Sequence, residues 1–395
     1  MKNERLLLLI LAIVQFTHII DFMIIMPLGS QFMSIFNITP KQFSLIVSTY
    51  AFSAAFFGLI SAMFIDRFDR KTALLFNYIG FTIGTLACSF APDYYTLLAA
   101  RCITGAFGGV LAALVLAIVG DVIPFERRGM AMGIVMTAFS VASVVGVPVG
   151  IYLAALYGWT VPFLAVGIIS AIVTVVMFFT LPQMRGHLTN SMERTNPFRN
   201  ILNIFLNPNQ AKALLFSISL MFGHFMIIPF IAPYMQLNVG FTDFEVTYVY
   251  AVGGTLTVFL LPLAGKLADR FGHLKIFTWS SILALGSIYA ITTLPVVAVW
   301  VGICVTSTYF VVSSGRNVPA TTLITSVVKT ENRGSFMSVR SSINELALAL
   351  SSFIAGSIIT ENTDGSLNNF LYVGLLAMLM SVVAIFVGRM LKTVS

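Results

Sequence analysis

One short charged loop occurs twice in this chain, and each copy sits between long apolar segments. The first copy holds Asp66, Arg67, Asp69, Arg70 and Lys71; the second holds Lys266, Asp269, Arg270, His273 and Lys275. Asp66 and Asp269 lie 203 positions apart, and a second match, Glu126 to Gly129 against Glu331 to Gly334, has an offset of 205. Near-equal offsets mean that a half-length unit is present twice, and repetition of this kind constrains architecture before any other feature.

The repeated unit cannot be an ordinary soluble domain. The 395 residues are 58% hydrophobic and only 9% charged, whereas soluble chains carry roughly 25% charged residues. A helical membrane span needs about 20 apolar residues. Cutting at charged and Gly/Pro/Asn clusters gives spans near 6–28, 43–65, 72–91, 95–118, 130–153 and 160–181. The second half gives 211–234, 246–268, 274–293, 297–322, 335–358 and 370–390. A membrane barrel would instead show segments of about ten residues with alternating polarity, and none occur. The expectation is an all-α membrane protein of twelve transmembrane helices in two six-helix pseudo-symmetric bundles, residues 1–182 and 211–395, joined by a polar cytoplasmic linker at 183–210. In that linker Phe198, Ile201, Leu202 and Phe205 recur at helical spacing and suit the inner membrane surface.

Basic residues are retained on the cytoplasmic side. With both termini inside, 19 of the 22 Lys and Arg residues fall on or beside that face, Lys41 lies outside, and Arg101 and Arg316 lie within spans. The net charge of +7 is therefore topological and gives no reason to expect a nucleic-acid partner. The expected location is the inner membrane of the cell, with the first apolar run retained as a helix because it exceeds 20 residues and no small-residue cleavage site follows it. Cys88, Cys102 and Cys304 have no paired spacing, so neither a disulfide framework nor a metal site is expected.

Several short patterns carry a resemblance. The loop after the second span reads Asp66, Arg67, then Arg70 and Lys71, and is similar to the gate motif G-x-x-x-D-R-x-G-R-K, with Ala62 and Asp69 where the motif has glycines. The loop after the eighth span is similar to a second copy of it. The fourth span carries Arg101 and Gly105, as in R-x-x-x-G, and the fifth carries Gly146, Pro148 and Gly150, similar to a glycine/proline motif of antiporters. On these residues the chain resembles the major facilitator superfamily, and within it the twelve-helix drug/proton antiporter group. The resemblance implies a cytoplasmic gate at Asp66, Arg67, Arg70, Asp269 and Arg270, with Asp121 as the expected partner of Arg67 or Arg70. Read without the family, the loops are either such a charge cluster or plain positive-inside anchors.

Ionisable residues inside spans are costly and tend to mark substrate or proton routes. His18, Asp21, Arg101, His224, Arg316 and Glu345 qualify. At 1.5 Å per residue, Asp21 lies about 24 Å from the inner end of the first span and Arg101 about 10 Å below the outer end of the fourth, so they share a layer. Arg316 and Glu345 each lie about 15 Å from the inside and share another. A carboxyl group that exchanges a proton for a guanidinium is a coupling device. The resemblance makes Asp21 with Arg101 the first expected pair; Arg316 with Glu345 is the second, with a static buried ion pair as its alternative. His18, on the Asp21 face, either tunes the proton or is structural. Phe22, Met26, His224, Asn317 and Asn344 are candidates for lining a substrate cavity, and Gly105, Gly108, Gly109, Gly133, Gly146 and Gly150 permit close helix contact.

The functional expectation is a proton-coupled secondary transporter that exports small organic or drug-like molecules by alternating access, working as a monomer with no cofactor. Export of one metabolite (a sugar, nucleoside or siderophore) or of a lysolipid is the alternative within transport. A transporter-like receptor that does not translocate is the alternative class. No P-loop, nucleophile, metal cluster or pair of catalytic carboxylates points to an ATPase or an enzyme.

Overall fold

A computed structural model of the chain describes residues 4–185, 197–329 and 333–394, the side chains of residues 62, 66, 125, 126 and 197–200 excepted. Among the described residues, eleven helices are long and apolar enough to cross a membrane. In the first half these are α1 (Glu4–Ile24), α3 (Pro40–Ala62), α4 (Arg70–Ser89), α5 (Tyr94–Val122), the continuous pair α6 (Phe125–Val141) and α7 (Val147–Tyr157), and α8 (Thr160–Thr180). A short helix, α2 (Gly29–Phe36), follows α1. After α9 (Pro197–Leu206), the second half contains α10 (Pro208–Phe225) running on through α11 (Ile228–Tyr234), α12 (Asp243–Phe271), α13 (His273–Thr292), α16 (Arg333–Ile358) and α17 (Phe370–Arg389). The predicted tenth span is divided between α14 (Val299–Gly315) and α15 (Asn317–Thr325).

The interruptions fall where proline chemistry puts them. Pro319 cannot donate a backbone bond, and its ring opposes the carbonyl four residues back, which is that of Gly315, the last residue of α14. Pro229 does the same to Phe225 at the end of α10. Ahead of Pro148 a five-residue wide turn, Ala142–Gly146, accommodates the lost donor, with the Val147 N–H bonded to Ala142 O. The segment ahead of Pro148 is thus a π-type bulge.

The contacts form two compact units: residues 1–25 with 49–195, and residues 26–48 with 196–395. The first is centred on Leu11, Leu74, Phe81, Leu111, Val115, Ile118 and Met177. The second is centred on Leu214, Phe216, Leu220, Phe277, Ile324 and Phe336. Residues 26–48 pack into the second unit: Phe43 meets Phe230 edge-on at 5.7 Å, Gln31 donates to Asp243 at 3.0 Å, and Gly356 is crowded by Ser44. A two-residue antiparallel pair, Thr360–Glu361 with Leu367–Asn368, closes the turn between α16 and α17.

Large apolar side chains remain exposed along the helices, among them Phe76 at 66%, Phe259 at 75% and Phe179 at 78%. A soluble monomer rarely carries apolar surface on this scale, and in hydrocarbon it costs nothing. On α9, Leu202, Phe205 and Leu206 are exposed, whereas Ile204 is buried and Ile201 packs against the core of the second unit; Phe198 lies outside the described side chains.

Candidate substrate and proton site

The most deeply withdrawn charges in the first unit meet each other. Arg101 on α5 sends Nη1 to Asp21 Oδ2 on α1 at 2.8 Å, and neither side chain has any exposed surface. The other carboxylate oxygen, Oδ1, accepts from Thr85 Oγ1 at 3.0 Å, and Arg101 lies over the Tyr50 ring at 4.4 Å. Arg101 Nε and Nη2 have no hydrogen-bond acceptor. The pair therefore keeps two guanidinium donors in reserve and holds its carboxylate on both oxygens. His18, one turn before Asp21, sits between the Tyr50 and Phe81 rings at 6.4 and 6.1 Å, and its Nδ1 is buried without a partner. Phe22 stacks at a tilt on Tyr50 at 5.3 Å.

Close helix approach builds this layer. A Cβ on Gly105 would run into the Tyr50 carbonyl oxygen, and one on Gly109 would lie 2.5 Å from Ala54 Cα. Gly108 faces Tyr50 and His18. Gly146 and Gly150, either side of the buried Pro148, take the side chains of Ile20 and Ile24 from α1. Gly133 meets nothing within 4 Å, so it does not belong with the contact glycines as expected.

The second unit is arranged differently. Arg316 is 1% exposed, and its Nη1 donates to Ser381 Oγ at 2.9 Å. Its Nε and Nη2 have no partner, and neither does Glu345 Oε2. No Arg316–Glu345 ion pair forms: a common depth does not give a common azimuth, because Arg316 sits at the break between α14 and α15 and Glu345 lies on α16. Asn344, beside Glu345, accepts from Ser217 Oγ at 2.8 Å, and Ser217 in turn accepts from Arg340 Nε at 3.0 Å. His224 stacks on Tyr309 at 6.2 Å, and Tyr309 donates to the His224 carbonyl at 3.2 Å. His224 Nδ1 and Asn317 Oδ1 are buried without partners. Met26 is buried at 3% and packs within the second unit.

The two loop copies also diverge. Arg70 Nε meets Asp121 Oδ2 at 2.8 Å, with side chains 6% and 32% exposed. Of the two arginines proposed for Asp121, it is Arg70 that forms this contact; Arg67 is exposed, and the Asp66 side chain lies outside the description. Asp69, which replaces a motif glycine, caps α4 by accepting from the N–H of Lys71 and Thr72 at 2.9 and 3.2 Å. It also accepts from the Met184 N–H at 3.0 Å. In the second copy Asp269 and Arg270 form the exposed end of α12, with Asp269 3.8 Å from His273 and Arg270 over the Phe271 ring.

Tyr50, Thr85, Ser381, Tyr309 and the Arg340–Ser217–Asn344 chain escaped sequence reading, since neutral polar residues in apolar helices carry no signal of which charge they face. Among the described residues no group of three or more His, Cys, Asp or Glu side chains is placed to hold a metal.

These features define a multi-pass helical membrane protein with charges buried in its spans. Residues 11–352 match the family model of the Major Facilitator Superfamily, and the chain belongs to that family of transporters, which are not enzymes. It is 26% identical over 226 residues to the inner membrane transport protein YdhP of Escherichia coli K12, a match spanning 57% of each chain. It is 25% identical to the MFS-type transporter YwfA of Bacillus subtilis over 80% of this chain and 78% of that one. A crystal structure of a bacterial homologue of the human lysosomal transporter Spinster superimposes with a TM-score of 0.78 at 15% identity, covering 98% of this chain and 97% of that one, a likeness of fold.

Proposed function

We propose that the protein is a proton-coupled antiporter of the inner membrane, with both termini in the cytoplasm, exporting small organic molecules by alternating access of its two helical bundles. The observation that carries this reading is the fully buried Asp21–Arg101 pair. An ion pair in hydrocarbon is a poor device for stability alone. A carboxylate that can take a proton and release its arginine is a device for coupling, because the two protonation states favour different packings. Arg101 also lies over the Tyr50 ring at 4.4 Å, so a guanidinium released from the carboxylate keeps that contact. The Arg70–Asp121 contact, on the basic face, serves in this reading as part of the inner gate.

The test is transport in vesicles containing the purified protein, using ethidium and tetraphenylphosphonium as probes under an imposed pH gradient. Accumulation that follows the gradient and vanishes in Asp21→Asn supports the reading. Accumulation in wild type that ignores the gradient overturns proton coupling, and binding without any accumulation favours a receptor.

A second reading, export of one acceptor-rich or anionic metabolite, is favoured by Arg316. Its two open donors at a buried site suit an oxygen acceptor on the substrate better than an apolar cation. Protection of growing cells against one scaffold only, lost in Arg316→Gln, would select this reading over broad drug export.

A further inference from the structure

At the basic end of the second unit, the beginning of α13, the end of α17 and Leu323 of α15 enclose a groove of about 730 Å³. Its wall changes character along its length. Lys275, Arg389 and His273 line the groove together with Trp279, Ile282 and Leu323. Trp279 lies four residues beyond Lys275 and Ile282 seven, so cations, indole and aliphatic side chains succeed one another over about 10 Å of helix. Trp279 is 58% exposed and Ile282 46%, and Leu283, next along α13, and Phe386, three residues before Arg389 on α17, are each 62% exposed.

Neither Lys275 nor Arg389 has a carboxylate within ion-pair distance among the described residues, and the nearby carboxylate of Asp269 is turned to His273 at 3.8 Å. Gly272, at φ 97°, starts α13 without a side-chain cap, which adds the positive end of a helix dipole to the same spot. Unpaired cations at the rim of a membrane-facing apolar wall match an amphiphile with negative charge at one end. Indole rings favour the membrane interface, which sets the level of the groove at the headgroups.

We infer that this groove is a binding site for an anionic phospholipid, its phosphate held by Lys275 and Arg389 and an acyl chain laid along Trp279 and Ile282. Basic residues near the surface attract anionic headgroups, and the apolar wall gives a lipid contacts that a free phosphate lacks. The site is independent of what the transporter carries.

Native mass spectrometry of delipidated protein, with equal amounts of phosphatidylglycerol and phosphatidylcholine of the same acyl chains, tests the assignment. Wild type should retain phosphatidylglycerol several-fold over phosphatidylcholine. Lys275→Gln/Arg389→Gln should bring the ratio close to one, while the charge-preserving Lys275→Arg/Arg389→Lys pair and the nearby control Lys266→Gln keep it. An equal ratio in wild type overturns the proposal, as does a preference unchanged in the double glutamine variant. Displacement of phosphatidylglycerol by millimolar inorganic phosphate would overturn the lipid in favour of a simple anion site. Should the double glutamine variant not survive purification, Trp279→Ala decides: the site requires faster loss of bound phosphatidylglycerol, and unchanged retention overturns it.

Discussion

Asp21 accepts from two elements at once, Arg101 on α5 through Oδ2 and Thr85 on α4 through Oδ1, so a single carboxylate ties three helices together in a layer without exposed surface. Its protonation would loosen both ties together.

Removing one partner of a buried pair leaves the other charge stranded, at a cost of roughly 3–5 kcal/mol. Asp21→Asn should therefore lower the thermal midpoint of the purified protein, and Asp21→Asn/Arg101→Gln should recover part of the loss. Substrate-induced proton release into weakly buffered detergent solution should disappear in both variants. Recovery of stability together with persistent proton release would remove Asp21 from the coupling reaction.

Glycines on α5 and α6 should respond in opposite ways. Gly105→Ala drives a methyl into the Tyr50 carbonyl, and overpacking of this kind costs about 1–3 kcal/mol. Gly133 has open space, so Gly133→Ala should be neutral or stabilise by up to about 1 kcal/mol through helix propensity. Paired thermal melts check the contrast.

Asp69 should matter as a cap although it departs from the motif. Asp69→Ala forfeits the bonds to Lys71 and Thr72 and the tether to Met184, with a loss of about 1–2 kcal/mol for the cap alone. Asp69→Asn, which keeps an acceptor, should lose less. Protease nicking between α8 and α9 would report the released tether as faster cleavage in Asp69→Ala.

Asp93, exposed before α5, accepts from the backbone N–H of Thr96, and that bond, helped by the Thr96 hydroxyl, holds its carboxyl below the usual range. A depressed folded value means that the carboxylate's stabilising contribution is complete above the unfolded pKa and fades as pH falls through the folded one. Stability should thus decline on acidification below the ordinary carboxylate range. Asp93→Asn, still a good cap, should flatten that part of the profile in melts taken across acidic pH.

Much of the fold was legible because a bilayer leaves few solutions: segments such as 160–181 and 370–390 are apolar for the length of a span, and the observed helices Thr160–Thr180 and Phe370–Arg389 follow them. The site was legible only where depth and identity sufficed. Asp21 and Arg101 share a layer and meet; Arg316 and Glu345 share a layer and do not, since rotation about each helix axis is set by packing and has no counterpart in residue count. Asp69 shows the converse, a residue that breaks the motif yet holds a defined place through bonds to the 184 backbone.

By itself the sequence determined that this chain lives in lipid as repeated bundles of helices, because hydrophobic length and the cost of unpaired backbone groups in hydrocarbon admit little else. It also marked Asp21, Arg101 and Arg316 as buried charges, but not Asp69, Arg70 and Arg340, which are buried as well. Only the tertiary structure decided which of them are neutralised, Asp21 by Arg101 and Thr85, and which stay open, Arg316 and Glu345. It also decided that the first loop copy reaches Asp121 while the second ends as an exposed helix terminus. The physical reason is range: burial of apolar surface is additive along the chain, whereas a salt bridge or a hydrogen bond depends on a few ångströms between residues far apart in sequence.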